Sequence, residues 1–171
     1  MDLASLVRDI PDFPEPGIVF KDITPVLGDP IAFNTLIAAL AEKFEDQRVS
    51  KVAGIEARGF TLAAPVARTL EAGFIPLRKP GKLPWKTIRQ TYKLEYGTDA
   101  LEMHVDAVEA GERVLVVDDV IATGGTAFAA VELLRRAQAE VVGVVVFIEL
   151  GFLNGKAALE GVPFHALVRF D

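Results

Sequence analysis

The stretch from Val114 to Thr126, VLVVDDVIATGGT, constrains the fold of this chain more than any other. Val114 to Val117 is an unbroken apolar run, the pattern of a strand covered on both faces rather than one that alternates between core and water. After Asp118 and Asp119 the period changes. Phe128, Val131, Leu134 and Arg135 follow at helical spacing, with Ala129, Ala130 and Ala137 filling in. A central strand, a loop and a helix start follow one another, the unit from which parallel sheets with helices on both faces are built.

Such a loop lies at the carboxyl end of its strand, where open α/β sheets bind ligands. Gly124 and Gly125 allow positive φ and close approach to the backbone, and the unpaired amides of a helix start favour an anion. Thr123 and Thr126 add hydroxyl donors, so the loop reads as a phosphate cradle. The two aspartates would repel a bare phosphate and must face another part of the ligand, either sugar hydroxyls or a cation. A phosphorylated sugar meets both demands. For a lone Gly-Gly pair, a solvated strand-to-helix turn is the alternative. The commoner nucleotide loops are absent: no G-x-G-x-x-G occurs, and the pair Gly54 and Gly59 is followed by Phe60 and Thr61 rather than Lys and Ser/Thr.

Length and composition limit the remaining choices. A chain of 171 residues suits one domain with one sizeable core, and 51% apolar with 25% charged residues is ordinary for a soluble α/β protein. The longest apolar run, Val141 to Ile148, is too short to span a bilayer, and the start lacks a signal-peptide core, so a cytoplasmic location is expected. No cysteine is present, which excludes disulfide and thiol chemistry. A net charge of −6 argues against general nucleic-acid binding. Against that acidic background Arg78, Lys79, Lys82, Lys86, Arg89 and Lys93 form a basic stretch with no acid between them, suited to an anionic ligand or to a solvated face.

Along the chain, Pro11, Pro14, Pro16, Pro25 and Pro30 break up the first thirty residues, leaving a short amphipathic turn near Leu3 to Val7 and predicting a flap rather than a piece of the sheet. Helical spacing predicts helices over Ile31 to Phe44 and Phe60 to Leu70. Strands are expected at Lys51 to Ile55, Phe74 to Leu77, Arg113 to Val117, Val142 to Ile148 and His165 to Phe170. Pro80 to about Thr98 reads as a long mobile loop with some hairpin character. The alternation predicts an α/β fold with a parallel, doubly wound (Rossmann-like) sheet flanked by helices.

Two further segments carry chemistry. Glu56, Ala57, Arg58 and Gly59 form a second loop at the same sheet edge, where an arginine can fork onto phosphate oxygens or serve as an ion-pair partner. Arg78 and Lys79 end the next strand. In the long loop, Glu95 lies within Tyr92 to Gly97, where a carboxyl group on a closing lid can reach a reacting base. An acid on an exposed hairpin is the plainer reading. His104 and His165 have no metal-ligand spacing to each other.

VLVVDDVIATGGT resembles the phosphoribosyl pyrophosphate motif of type I phosphoribosyltransferases. PDFPEPGIVFKDITPVL, EARGF, RKPGKLP and KLEYG, in the same order, make the chain similar to the adenine-specific branch of that family. The resemblance implies a single domain over 1–171, with a hood over about 1–30 and a flexible catalytic loop over about 80–98. It implies transfer of phosphoribose from phosphoribosyl pyrophosphate to adenine, giving AMP and pyrophosphate in purine salvage. Asp118 and Asp119 would hold the ribose, and Ala122, Thr123, Gly124, Gly125 and Thr126 the 5′-phosphate. Arg58, Arg78, Lys79 and Lys82 would hold pyrophosphate, with Lys82 able to reach a partner subunit. Glu95 and Arg58 are the implied catalytic residues. Val19, Phe20, Lys21 and Leu150 would bind adenine, Phe20 stacking on it; lysine stands at 21 where the family has arginine. Mg²⁺ is expected on substrate oxygens without a dedicated protein cage, and a homodimer is expected.

Two alternatives share the motif. A transferase for a 6-oxopurine would use the same phosphoribosyl site, although the hood and KLEYG point to adenine. A transcriptional regulator that senses phosphoribosyl pyrophosphate would need a nucleic-acid surface, for which this acidic chain gives little support.

Overall fold

The computed structural model describes residues 1–94 and 97–171. Five strands form a parallel sheet: β3 (Lys51–Ile55), β4 (Gly73–Leu77), β7 (Arg113–Ile121), β8 (Glu140–Leu150) and β9 (Phe164–Phe170). They lie in the order β4-β3-β7-β8-β9, with every pairing parallel. The chain winds outward from β3 to β4 and then returns to place β7 on the other side of β3. The strand order therefore reverses between β3 and β7, and the crevice outside their carboxyl ends is where such sheets bind ligands.

Successive side chains on a strand point to opposite faces, and β7 shows it. Leu115 and Val117 enter one core with α2 (Pro30–Glu42) and α3 (Arg58–Thr69), while Val114 and Val116 enter the other with α4 (Gly125–Arg136). Both cores are built mainly from aliphatic side chains, which is why the central strands read as continuous apolar runs. Asp29 caps α2 by accepting from the amides of Ile31 and Ala32 at 2.9 and 2.8 Å, with Pro30 in the first turn where its missing N–H costs nothing.

Three features differ from the sequence expectation. β7 does not stop at Val117 but continues to Ile121, whose side chain is buried, so both aspartates belong to the strand. The segment read as a loop contains β5 (Thr87–Lys93), paired antiparallel with β6 (Thr98–His104). This hairpin folds onto α4 because Tyr92, Leu101 and Met103 are buried in the second core. The first thirty residues are not irregular throughout: β1 (Arg8–Pro11) pairs antiparallel with β2 (Val19–Asp22), followed by α1 (Thr24–Gly28). Leu3, Ile23 and Val26 anchor this hood in the first core, with Leu6 and Val7 packed against it, while residues 12–19 at the tip of the strand pair are exposed.

Candidate active site

Three chain segments meet at the reversal of strand order. The first is the end of β7 with its turn into α4. Gly124, at φ 85°, caps α4 with no side-chain hydrogen bond, so the amides at the helix start are left for another acceptor. The turn is held from behind, because a Cβ on Gly124 would collide with the Gly155 carbonyl oxygen and one on Gly155 with that of Ala122. Only glycine fits at either place. Thr123 is exposed and Thr126 half-buried at the mouth of the cradle.

Asp118 and Asp119 sit side by side ahead of this turn. Loss of water around Asp118 pushes its carboxyl well above the usual range, and the neighbouring Asp119 charge adds to the push. A raised carboxyl pKa means that ionised Asp118 costs the fold stability at neutral pH, a cost relieved as pH falls. The backbone approaches closely here as well: a Cβ on Gly59 would lie 2.6 Å from Asp118 Oδ1. The second segment, at the end of β3, is thus packed against the acid pair. Arg58 Nε donates to Asp119 Oδ2, and its guanidinium lies 4.9 Å from the centre of the Phe20 ring. Ile55, Glu56, Arg58, Lys79, the two aspartates and Thr126 line a cleft of about 320 Å³.

The third segment is the end of β4. Glu56, nearly buried, gathers the basic residues. It accepts from the Lys79 amide, from Lys82 Nζ at 2.7 Å and from Arg78 Nη2 at 3.5 Å. Burial alone would raise its carboxyl, yet the Lys82 and Lys79 hydrogen bonds and the Arg78 charge outweigh it and hold Glu56 below its ordinary value. Lys79 Nζ in turn meets Asp99 and the Tyr92 hydroxyl of the hairpin. Arg78 Nε is buried and has no partner among the described residues. Each cation expected to meet pyrophosphate thus has a carboxylate of its own chain within reach.

The hood closes one side of the cleft. Phe20 faces Arg58 and meets Phe13 edge-on at 5.2 Å, whereas Val19 is exposed. Lys21 points away, with its ammonium on Asp9 at 2.7 Å and over the Phe170 ring at 4.1 Å. Leu150 ends β8 and packs on the first core. Glu95 lies outside the described residues. A second, mostly apolar cavity of about 910 Å³ runs under the hairpin beside Thr123, Gly125 and Phe128.

The model of the phosphoribosyl transferase domain matches residues 27–161. The adenine phosphoribosyltransferase of Anaeromyxobacter dehalogenans is 58% identical over 96% of this chain and 95% of its own length. The chain belongs to the adenine phosphoribosyltransferase family. Among solved structures, the Rhodothermus marinus adenine phosphoribosyltransferase superposes with a TM-score of 0.95 at 54% identity, covering 98% of this chain and 96% of its own. The Saccharomyces cerevisiae enzyme, solved with adenine and D-2,5-dideoxy-2,5-imino-altritol 1,6-bisphosphate, gives 0.92 at 39% identity over 97% of this chain and 96% of its own. The parallel sheet and hood are thus those of an adenine phosphoribosyltransferase.

Sequence reading missed Glu56, Asp99 and Gly155. Glu56 stood in the quoted EARGF segment, and its place at a strand end beside an arginine was the available signal. Asp99 and Gly155 carried none, because their importance comes from chain segments that meet only in the folded protein.

Proposed function

We propose that this cleft is where the chain performs the purine-salvage transfer of its family, from adenine and phosphoribosyl pyrophosphate to AMP and pyrophosphate. The observation that carries the reading is the convergence of an uncapped helix start, two adjacent carboxylates and the Arg58–Phe20 contact within one crevice. The 5′-phosphate takes the amides and hydroxyls of Ala122 to Thr126. The ribose hydroxyls take Asp118 and Asp119, and donors at that point offset the like-charge strain at Asp118. Pyrophosphate takes Arg58, Arg78, Lys79 and Lys82, which exchange internal carboxylates for the leaving group as negative charge grows on it. Adenine lies between Phe20 and Leu150, its edge read by backbone groups at Val19 and Lys21. Glu95 handles a proton at the base.

Asp118 and Asp119 offer hard oxygen donors that would help to hold a Mg²⁺ brought in on substrate oxygens, and such an ion would supply positive charge to offset the negative charge growing on pyrophosphate. The same reading takes residues 1–171 as a single domain and the protein as a cytoplasmic homodimer, without a nucleic-acid or membrane partner. No helix among the described residues is long and apolar enough to cross a membrane. Pyrophosphate release, measured with Mg²⁺, phosphoribosyl pyrophosphate and each purine in turn, tests the reading. Release is expected with adenine. Release without any base, or only with a 6-oxopurine, would overturn it.

A further inference from the structure

We propose that the Lys21 side chain is a positioning residue for the base, one that fastens the hood to the C-terminal strand and so sets the gap between Phe20 and Leu150. The inference rests on the placement of adenine proposed above. Phe20 and Lys21 are neighbours on β2, so their side chains leave opposite faces of the strand. Phe20 turns toward Arg58 and the cleft. Lys21 turns the other way, donating to Asp9 Oδ1 at 2.7 Å across the hood's own strand pair and lying 4.1 Å from the Phe170 ring centre. Its side chain is only 14% exposed, against 56% for Asp9, so the lysine stem is committed to this contact while Asp9 remains in water.

The far end of the tether is well placed to act on the base. Phe170 is the register partner of Leu150 in the pairing of β8 with β9. The residue that carries the anchored ammonium is therefore the immediate neighbour of Phe20, and one step across the sheet separates its anchor from Leu150. The anchor is itself braced. Arg169 donates to the buried Glu149 at 3.2 Å and to Asp171 at 2.7 Å. These groups press on the turn after Leu150, where a Cβ on Gly151 would come within 2.6 Å of Asp171 Oδ1 and 2.7 Å of Arg169 Cζ. With its ammonium held by Asp9 and Phe170, Lys21 acts on adenine through the position of Phe20 rather than by touching the base.

The test uses Lys21→Met, Phe170→Leu, their combination and Lys21→Arg, compared with the unmodified protein. Lys21→Met and Phe170→Leu should each raise the KM for adenine by about fivefold, with kcat and the KM for phosphoribosyl pyrophosphate unchanged. The double variant should be no worse than Lys21→Met alone, because that change already removes the contact with Phe170, and Lys21→Arg should keep the original value. Hydrogen exchange at the β2 amides, read without substrate, should quicken in both single variants. Unchanged exchange would refute the tether. So would a Lys21→Met protein with an altered ratio of adenine to hypoxanthine turnover beside a Phe170→Leu protein with a normal adenine KM, since that pattern means that Lys21 reads the base directly. If the unmodified protein were inert toward adenine the functional reading would fall, and the exchange measurement would still decide the tether.

Discussion

At the helix-start end of the cleft, proposed above for the phosphoribosyl group, Ala122 to Thr126 is clamped between the buried β7, α4 and the Gly155 backbone, with no room for a methyl group at Gly124 or Gly155. At the hood end, proposed above for the base, Phe13, Ile18 and Val19 lie exposed, and the hood is joined to the rest through Leu3, Ile23, Val26 and a few surface contacts. A phosphate and a ribose present fixed geometry, which suits a preorganised cradle whose strain is borne by the surrounding core. A flat base has to enter and leave between two apolar side chains, which suits a lightly held cover.

The contrast can be broken by substitution. Gly155→Ala should have the largest effect, lowering stability by about 3 kcal/mol in a urea titration, because backbone must move to admit the methyl group. A loss below about 0.5 kcal/mol would show that the cradle is softer than its packing implies. The hairpin should come next, under acid. Its Asp99 carboxyl is held below the usual range chiefly by the Lys79 hydrogen bond. That contribution is complete above the unfolded value of about 3.9 and is lost as pH falls through the lower folded one. Protection from hydrogen exchange at the amides of Thr98–His104, taken relative to the intrinsic rate at each pH, should therefore fall below about pH 4 more than at those of β7. Equal responses would mean that the hairpin is part of the same rigid body. The smallest effect should come from Arg8→Ala in the hood, whose exposed ion pair with Asp22 at 2.7 Å should cost less than about 1 kcal/mol.

The same contrast governs what could be read from residue order. β3 keeps the bounds expected for a buried strand at Lys51 to Ile55, since Val52 to Ile55 are covered on both faces. The end of β7 was misplaced because a charged pair looks like the close of a strand; Ile121, two residues beyond it, is buried and keeps the ladder going. The hood strands escaped notice because four-residue strands among prolines have no period to detect, and their pairing is fixed by contacts such as Lys21 with Asp9. Phe20 and Leu150 were named as base-binding residues from family resemblance. Their physical support, Phe170 beside Leu150 in the sheet and Arg58 against the Phe20 ring, joins residues far apart in sequence.

The division of labour between the two ends is tested most directly by steady-state KM values for both substrates in two proteins, Phe20→Ala and the double variant Asp118→Asn with Asp119→Asn. The account predicts that Phe20→Ala raises the KM for adenine by about tenfold or more and leaves that for phosphoribosyl pyrophosphate within about twofold. The aspartate variant should show the reverse. If each variant raised both constants to the same degree, cradle and hood would be one site rather than two, and the account would be wrong.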